Sequence, residues 1–463
     1  AGGMAAILLA GEGIEVTLLE RDKFPRYKIG ESLVTSVLPL LDFVGLRERI
    51  EAAGFLKKYG AFFRVKHDLP AGYVDFTLGK YKYSYQVIRS EFDHVVLTYA
   101  RDMGAHVFEE VSASEVEFSD ERVVAVRWTR AGGSSGRTAC DYVVDASGLA
   151  GLVSTRHLKN RIFQENFANL ALGSYWSNHR LYQDERNLGY PTDFLAEALD
   201  DGAGWAWFIP LHDGTVSIGV VIGSEHFKQL RHDEADIGAI YRRLLQNTVS
   251  IKELIADARM VKEVRTWKDY SYVARNFSGI GFRLAGDAAG FIDPLFSTGV
   301  HLAFLGGLTG AASICAVLRG EVDERTSAEF HDAAVRKAYT RFLIIVAGIY
   351  RQIRNQEQVV LHGVDRNSVQ LAFERIRPVV SGNIDLRTEQ LDRETLIDLM
   401  QFEYDLTLER SQIATGNEAA KAELERLAAR AEQVPDDMSI AAEQAVNGRY
   451  IRLVRGSLGL ANV

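Results

Sequence analysis

Gly13-Ile14-Glu15-Val16-Thr17-Leu18-Leu19-Glu20 is the stretch on which the fold turns. Its apolar β-formers lie together behind a turn glycine, which predicts a buried strand, and the run ends in an acid. Residues 4–9 before it carry a helical pattern. A helix leading into a strand that ends in a carboxylate is the second half of a dinucleotide-binding βαβ unit. There the acid bonds a ribose hydroxyl, and small residues at the helix start let backbone N–H groups approach a pyrophosphate. Gly2 then stands as the last glycine of a Gly-Xaa-Gly-Xaa-Xaa-Gly turn, and Glu20 as the ribose partner. An ordinary αβ unit carries the same half-pattern. Because the chain opens Ala1-Gly2-Gly3 with no initiator Met, roughly one strand of five or six residues and the start of the turn are expected upstream.

Later segments alternate in the same way. Residues 92–100 read as a helix, 105–108 as a short strand, and 123–129 with 137–144 as a hairpin around Ala131-Gly132-Gly133-Ser134-Ser135-Gly136. Residues 171–177 and 215–222 read as strands of a second sheet. From Thr326 the character changes. Thr326-Ser327-Ala328-Glu329 has the form of a capping box, and helical patterns follow over 341–360 and 394–408. The expectation is a mixed α/β body with a helical C-terminal part. The sequence has no internal repeat, no low-complexity linker and no clean boundary.

Composition narrows the classes. The 463 residues are 47% hydrophobic and 25% charged, with 40 Gly against 8 Pro, which excludes collagen-like, disordered and disulfide-scaffold chains and supplies an ample core. A net charge of −9 with no long basic run argues against a nucleic-acid binder, which neutralises phosphates with clustered Lys and Arg. Two cysteines, Cys140 and Cys315, form no framework and suit a reducing compartment. The most apolar run, residues 342–349, is too short to span a bilayer, and no secretory signal is visible. A cytoplasmic protein without a membrane span is expected.

Four segments carry chemistry. Asp145-Ala146-Ser147-Gly148 follows the apolar strand residues 142–144, and its small residues let a cofactor approach the backbone; a plain strand exit has the same form. Leu284-Ala285-Gly286-Asp287-Ala288-Ala289-Gly290-Phe291 runs from a strand into a small-residue turn. Asp287 there can bond sugar-like hydroxyls, and a helix opening near Ser297-Thr298-Gly299 would aim N–H groups and its positive end at an anion or a reduced flavin. A simple helix cap is the alternative. Gly204-Trp205-Ala206-Trp207-Phe208-Ile209-Pro210 puts Trp205 and Trp207 on one face of a strand, as a wall against water or as an ordinary aromatic core. Phe55-Leu56-Lys57-Lys58-Tyr59-Gly60 sets two lysines in an apolar context. A lysine drawn inside would have its pKa lowered by desolvation and could donate a proton or react; most such lysines snorkel at the surface.

These segments, in this order, resemble the flavin-dependent halogenases along nearly the whole chain. The resemblance runs through Glu20, Pro25-Arg26-Tyr27-Lys28-Ile29-Gly30-Glu31-Ser32, the lysine segment and Arg89 before Phe92-Asp93. It continues through residues 145–148, the Trp-Xaa-Trp-Xaa-Ile-Pro element, and Gly286-Asp287 on to Phe291-Ile292-Asp293-Pro294-Leu295-Phe296-Ser297-Thr298-Gly299-Val300-His301. The Trp-Xaa-Trp-Xaa-Ile-Pro element is specific to that family; the others are shared with flavin monooxygenases. Leu158-Lys159-Asn160-Arg161, Asp201-Gly202-Ala203-Gly204, Gln352-Ile353-Arg354-Asn355-Gln356-Glu357-Gln358 and Arg455-Gly456-Ser457-Leu458-Gly459-Leu460 make it most similar to fungal phenol halogenases of resorcylate- or orsellinate-type polyketides. Tryptophan halogenases carry a glutamate where this chain has Phe296, which argues against free tryptophan as substrate. Carrier-protein-dependent pyrrole halogenases share the Phe-type loop.

The resemblance implies a Rossmann-like FAD-binding fold of the flavin monooxygenase type, interleaved with a mixed substrate-domain sheet and followed by a helical C-terminal region. The expected modules are FAD binding over 1–55, 85–160 and 265–322, a substrate-side sheet over 56–84 and 161–264, and the helical region over 323–463. It further implies chlorination of an electron-rich phenol in secondary metabolism. Reduced FAD, O2 and chloride or bromide would react through a flavin hydroperoxide and hypochlorous acid, with Lys58 meeting the acid as catalytic residue. Gly2, Glu20, Gly30, Ser32, Arg89, Asp145, Gly286 and Asp287 would bind cofactor, Thr298 and Gly299 the halide, and no metal is implied. Trp205 and Trp207 would shield the substrate from the flavin, and His301 and Glu31 are candidate bases for the phenol. With one nucleotide-binding pattern in the chain, a separate flavin reductase is expected to supply reduced FAD. A flavin hydroxylase or ene-reductase, sharing the glycine, arginine and Gly-Asp elements, and a flavin-binding scaffold without activity are the rival readings.

Overall fold

Residues 2–11 are apolar throughout rather than on one stripe, as suits a helix enclosed on all sides. In the computed structural model, which describes residues 1–357, 369–386 and 445–463, they form the helix Gly2–Gly11, with Met4 to Leu9 buried. The chain turns at Gly13, φ 78°, into the strand Thr17–Leu19, which pairs in parallel with His106–Phe108 in the register Leu18↔Val107. This strand is shorter than expected and half-buried rather than buried, because residues 16–20 face a large cavity. The helix Arg89–Asp102 buries Phe92, Val96, Leu97 and Ala100, one stripe at helical spacing. It packs so tightly on the first helix that a Cβ on Gly3 would lie 2.9 Å from Val96 Cγ1.

The expected hairpin is present as Arg122–Arg130 with Ser135–Ala139, joined by Val111–Ser119 in a three-stranded sheet. Its second arm stops at Ala139 instead of running to 144. Val143–Asp145 instead pairs in parallel with Phe282–Leu284, because Val143 and Val144 pack against the apolar clusters of the body, whereas the hairpin arm alternates between exposed and half-buried positions. The ends of the strands Thr17–Leu19, Val143–Asp145 and Phe282–Leu284 converge on the cavity. That is where open α/β sheets bind ligands.

Among the described residues the largest sheet has nine strands. Its spine is Arg161–Ser177, which pairs with Val216–Gly223 on one side and with Arg265–Ala274 on the other. The second-sheet strands expected at 171–177 and 215–222 are both here, the first beginning earlier than expected. Arg265–Ala274, where the expected segment 265–322 begins, pairs with the spine, and Thr266, Trp267, Lys268 and Tyr272 also line the large cavity. Gly204–Pro210, Phe194–Ala198, Gly60–Arg64 and Gly72–Asp75 extend the sheet. Alternation sorts its residues by face: Phe63, Trp205 and Trp207 pack on one side, Phe62, Ala206 and Phe208 on the other.

The helix Gly299–Leu318 has the length and apolarity of a membrane span, but 83% of its most apolar window is buried inside the protein, so it is a core helix. It packs against Gly2–Gly11 and Glu324–Arg354. The latter begins before the expected capping box: Asp323 caps it by accepting from the Thr326 N–H at 2.9 Å, which frees Ser327 to turn inward and donate to Ser313 O at 2.7 Å. The helix expected at 394–408, Gln358 and the last residues of the 341–360 pattern lie outside the described residues. The region expected to be helical ends in a hairpin, Arg449–Arg452 with Gly459–Asn462, because Leu458 and Leu460 bury themselves in the core that the 299–318 helix shares.

Candidate active site

Strand ends and glycine turns surround one cavity of about 1120 Å³, and Gly2, Glu20, Gly30, Ser32, Arg89, Asp145, Gly286 and Asp287 all line it. It exceeds the roughly 300–1,000 Å³ typical of drug-sized ligands, so a dinucleotide fits. Glu20 ends the first strand, its carboxylate accepting from the Asp22 N–H at 2.9 Å, and burial raises its pKa. Gly286 has φ 61°, and a Cβ there would lie 3.1 Å from Ala1 and 3.3 Å from Ala303, so the turn approaches the cavity as a bare backbone. Asp287 stands 3.6 Å from Lys28 across the cavity wall. Asp145 works differently from Glu20. Its two carboxylate oxygens accept from the Ser147 N–H at 3.0 Å and the Val153 N–H at 2.8 Å, shaping the turn that presents Ala146 to the cavity.

Arg89 is likewise a scaffold. Its guanidinium holds Asp93 at 3.0 and 3.1 Å and the carbonyls of Ile29 and Gly30 at 3.0 and 3.2 Å. Burial opposes ionisation of Asp93, yet Arg89 and Arg26 keep its carboxyl below the usual range.

At the other end of the cavity the loop 293–298 leads into the Gly299–Leu318 helix through Ser297, φ 58°. Gly299 lines the cavity and Thr298 is buried beside it, so the positive helix end faces the cavity. Phe296 is buried against Phe63 with ring centroids 4.8 Å apart. Trp205 and Trp207 both line the cavity from the nine-stranded sheet, their rings 6.1 Å apart. Trp205 is anchored from a distant element: its Nε1 donates to the Tyr350 hydroxyl at 2.8 Å, and that hydroxyl donates to Asp293 at 2.7 Å. Burial pushes the Asp293 carboxyl up to about 6. Tyr350→Phe is expected to destabilise the protein by about 2 kcal/mol in urea unfolding, since it strands a buried indole N–H and removes a donor to a buried carboxylate.

Lys58 is 1% exposed and does not line the cavity; it sits behind Ser32, which does. Its Nζ donates to Ser32 Oγ at 2.9 Å and to Leu33 O at 3.1 Å. Burial pulls its pKa down to about 7, against a smaller opposing effect of Asp193. Lys57, one residue earlier on the strand, faces outward and pairs with Glu51 at 3.7 Å.

The structure divides the two candidate bases. His301 is fully buried, bonded through Nδ1 to Ser36 Oγ at 2.7 Å and through Nε2 to Asp385 at 3.0 Å, and does not line the cavity, so it ties the helix to residue 385 rather than facing a substrate. Glu31 does line the cavity. It accepts from the Tyr175 hydroxyl and from the Gly30 N–H, and burial raises its pKa. Sequence reasoning missed Tyr175 and Tyr350, which enter the site only through tertiary contacts, and quoted Lys28 and Asp293 within motifs without giving either a role.

The tryptophan halogenase family profile matches residues 1–76 and 66–361. The sulochrin halogenase gedL of Aspergillus terreus is 38% identical over all of this chain and 87% of its own length. The flavin-dependent halogenase ascD of Acremonium egyptiacum is 38% identical over 99% of this chain and 90% of its own. The structure of the myxobacterial chondrochloren halogenase CndH, a FAD-dependent halogenase, superposes with a TM-score of 0.70 at 30% identity, covering 87% of this chain and 94% of that one.

Proposed function

The chain belongs to the tryptophan halogenase family of flavin-dependent halogenases, and from that premise we propose that it chlorinates an electron-rich phenolic ring of a polyketide-derived natural product. It is an FAD enzyme that uses O2 and halide. The observation that carries the reading further is the placement of Lys58, a buried amine behind a cavity-lining serine. Gly2, Glu20, Gly286 and Asp287 would hold the nucleotide, with Arg89 and Asp145 shaping the loops around it. Reduced FAD, when bound, supplies with O2 the two-electron oxidation of halide to hypohalous acid.

The remaining work falls to side chains of this chain. The N–H groups at Thr298 and Gly299 hold halide at the helix start. Trp205 and Trp207 keep the substrate from the flavin, so that only a small molecule passes. Lys58 meets hypohalous acid beyond Ser32 and delivers a proton to its oxygen as the halogen is transferred. A phenol suits this electrophile, because its oxygen raises electron density ortho and para and the enzyme need mainly position the ring. Phe296, packed on Phe63, leaves no carboxylate at its position in the loop, which favours an uncharged ring over an amino acid. The gedL relative, named for sulochrin, is consistent with that class. Reduced FAD arrives from a separate reductase, and the cytoplasm, where Cys140 and Cys315 stay as free thiols, is the proposed compartment.

The test is mass spectrometry of products from the enzyme with FAD, a flavin reductase, NADH, chloride or bromide, and a panel of orsellinate and resorcylate phenols. A chlorine isotope pattern on a phenol is the expected result, and omission of the reductase is expected to stop turnover. Hydroxylated product with no halogenated one overturns the reading.

A further inference from the structure

The polar cluster around Lys58 holds more than the lysine. Leu56–Lys58 pairs antiparallel with Ser84–Gln86, and Ser84 lies directly opposite Lys58. Opposed residues share a face with Cβ atoms about 5 Å apart, and Gln86, two residues on, projects to the same side. Gln86 also bridges Ser32 on its other edge. Ser32, Lys58, Ser84 and Gln86 therefore gather on one face, and all four are buried. Two of them are unsatisfied: Ser84 Oγ and Gln86 Oε1 have no hydrogen-bond partner among the described residues, while Gln86 Nε2 is fixed by the carbonyl of Thr192.

Buried polar atoms without partners lower stability and are few in folded proteins. Two of them on the face that carries a buried amine mark a place where a ligand supplies the missing bonds. The Phe76 and Phe194 rings, each 5.2 Å from Nζ, close in on the amine, so only a ligand of a few atoms suits the site. Gln86 Oε1 accepts and cannot donate, so the ligand must carry a donor hydrogen as well as an atom that accepts from Lys58.

We propose that Ser84 and Gln86 complete, with Lys58, a docking site for hypohalous acid. The inference rests on the reading of this chain as a halogenase that acts through Lys58. The acid's O–H donates to Gln86 Oε1, its oxygen accepts from Lys58 Nζ, and Ser84 Oγ donates to the same oxygen, which leaves the halogen pointing away toward the ring. In transfer, a π pair of the phenol forms the C–Cl bond while the O–Cl bond breaks. The oxygen keeps that bonding pair and takes a proton from the Lys58 ammonium, leaving as water. Loss of the ring proton then restores the ammonium.

Ser84→Ala, Ser84→Thr and Gln86→Leu, made in the full chain and assayed with FAD, reductase, NADH, chloride and methyl orsellinate, test the site. Monochlorodimedone added to parallel reactions traps hypochlorous acid that escapes. The expected result for Ser84→Ala and Gln86→Leu is flavin oxidation within about twofold of the parent and at least a tenfold fall in chlorinated phenol per flavin oxidised. The deficit reappears as chlorinated trap. Ser84→Thr, which keeps the hydroxyl, is expected to retain most of the coupling, and Ser84→Ala to melt no lower than the parent because it deletes an unpaired buried hydroxyl. Coupling within twofold of the parent in both Ser84→Ala and Gln86→Leu overturns the docking site, as does equal loss in Ser84→Thr and Ser84→Ala. A parent enzyme that makes neither chlorinated phenol nor chlorinated trap overturns the underlying halogenase reading instead.

Discussion

Lys58→Met is expected to cut phenol chlorination by about a thousandfold while leaving oxidation of reduced flavin intact, and to make the protein more stable rather than less. The first half separates a halogenase from a hydroxylase, which would keep its product. The second half follows from burial. Desolvation lowers the folded-state pKa of Lys58 from 10.5 to about 7, so between those values the unfolded chain holds a proton that the folded chain lacks. Stability contributed by this group therefore rises as pH climbs from 7 toward 10.5, and the destabilisation is fully present below 7, with a ceiling of roughly 5 kcal/mol. Methionine fills similar space without a charge. Stranding Leu33 O returns about 1–3 kcal/mol of that, and the net is a gain. Thermal melts at pH 6, 7.5 and 9 should show Lys58→Met above the parent at low pH and the gap closing at high pH. Over the same range the parent's chlorinated product per flavin oxidised should fall as pH rises past 7, because the amine loses the proton that it gives to the departing oxygen.

Arg89→Leu is expected to weaken FAD binding at least tenfold and to destabilise the fold by about 3 kcal/mol, the low end for breaking a buried ion pair, because one of the two arginines on Asp93 remains. Asp93 would keep Arg26 at 2.8 Å and lose the bidentate contact with Arg89. The carbonyls of Ile29 and Gly30 would lose their donors at the same time, freeing the loop that presents Gly30, Glu31 and Ser32 to the cavity. Fluorescence titration with FAD and urea unfolding read the two effects separately. FAD affinity and stability both unchanged would show that Arg89 is no scaffold.

Much of the lining of the large cavity was legible because its signals are local. A strand ending in Glu20, a turn at Asp145 to Gly148 and a glycine at 286 followed by Asp287 are read within a few residues of chain, and so is the shared face of Trp205 and Trp207. Local signals also misled. The hairpin arm was drawn on to Val144, and the capping box hid Asp323, because in each case two continuations had similar local propensity and packing chose between them. His301, a base candidate by its place at a helix start, had both ring nitrogens taken by Ser36 and Asp385.

What the sequence by itself determined was the class of chemistry and the list of residue types: glycine turns for a dinucleotide, paired tryptophans, and a lysine in apolar surroundings. Tertiary structure alone decided which of the two lysines is buried and what surrounds it. Lys58 meets Ser32 across 26 residues, Glu31 meets Tyr175 across 144, and Trp205 meets Tyr350 across 145. Such pairs are set by sheet register and helix docking, which depend on burial summed over the whole chain, whereas local sequence biases only the backbone around each residue.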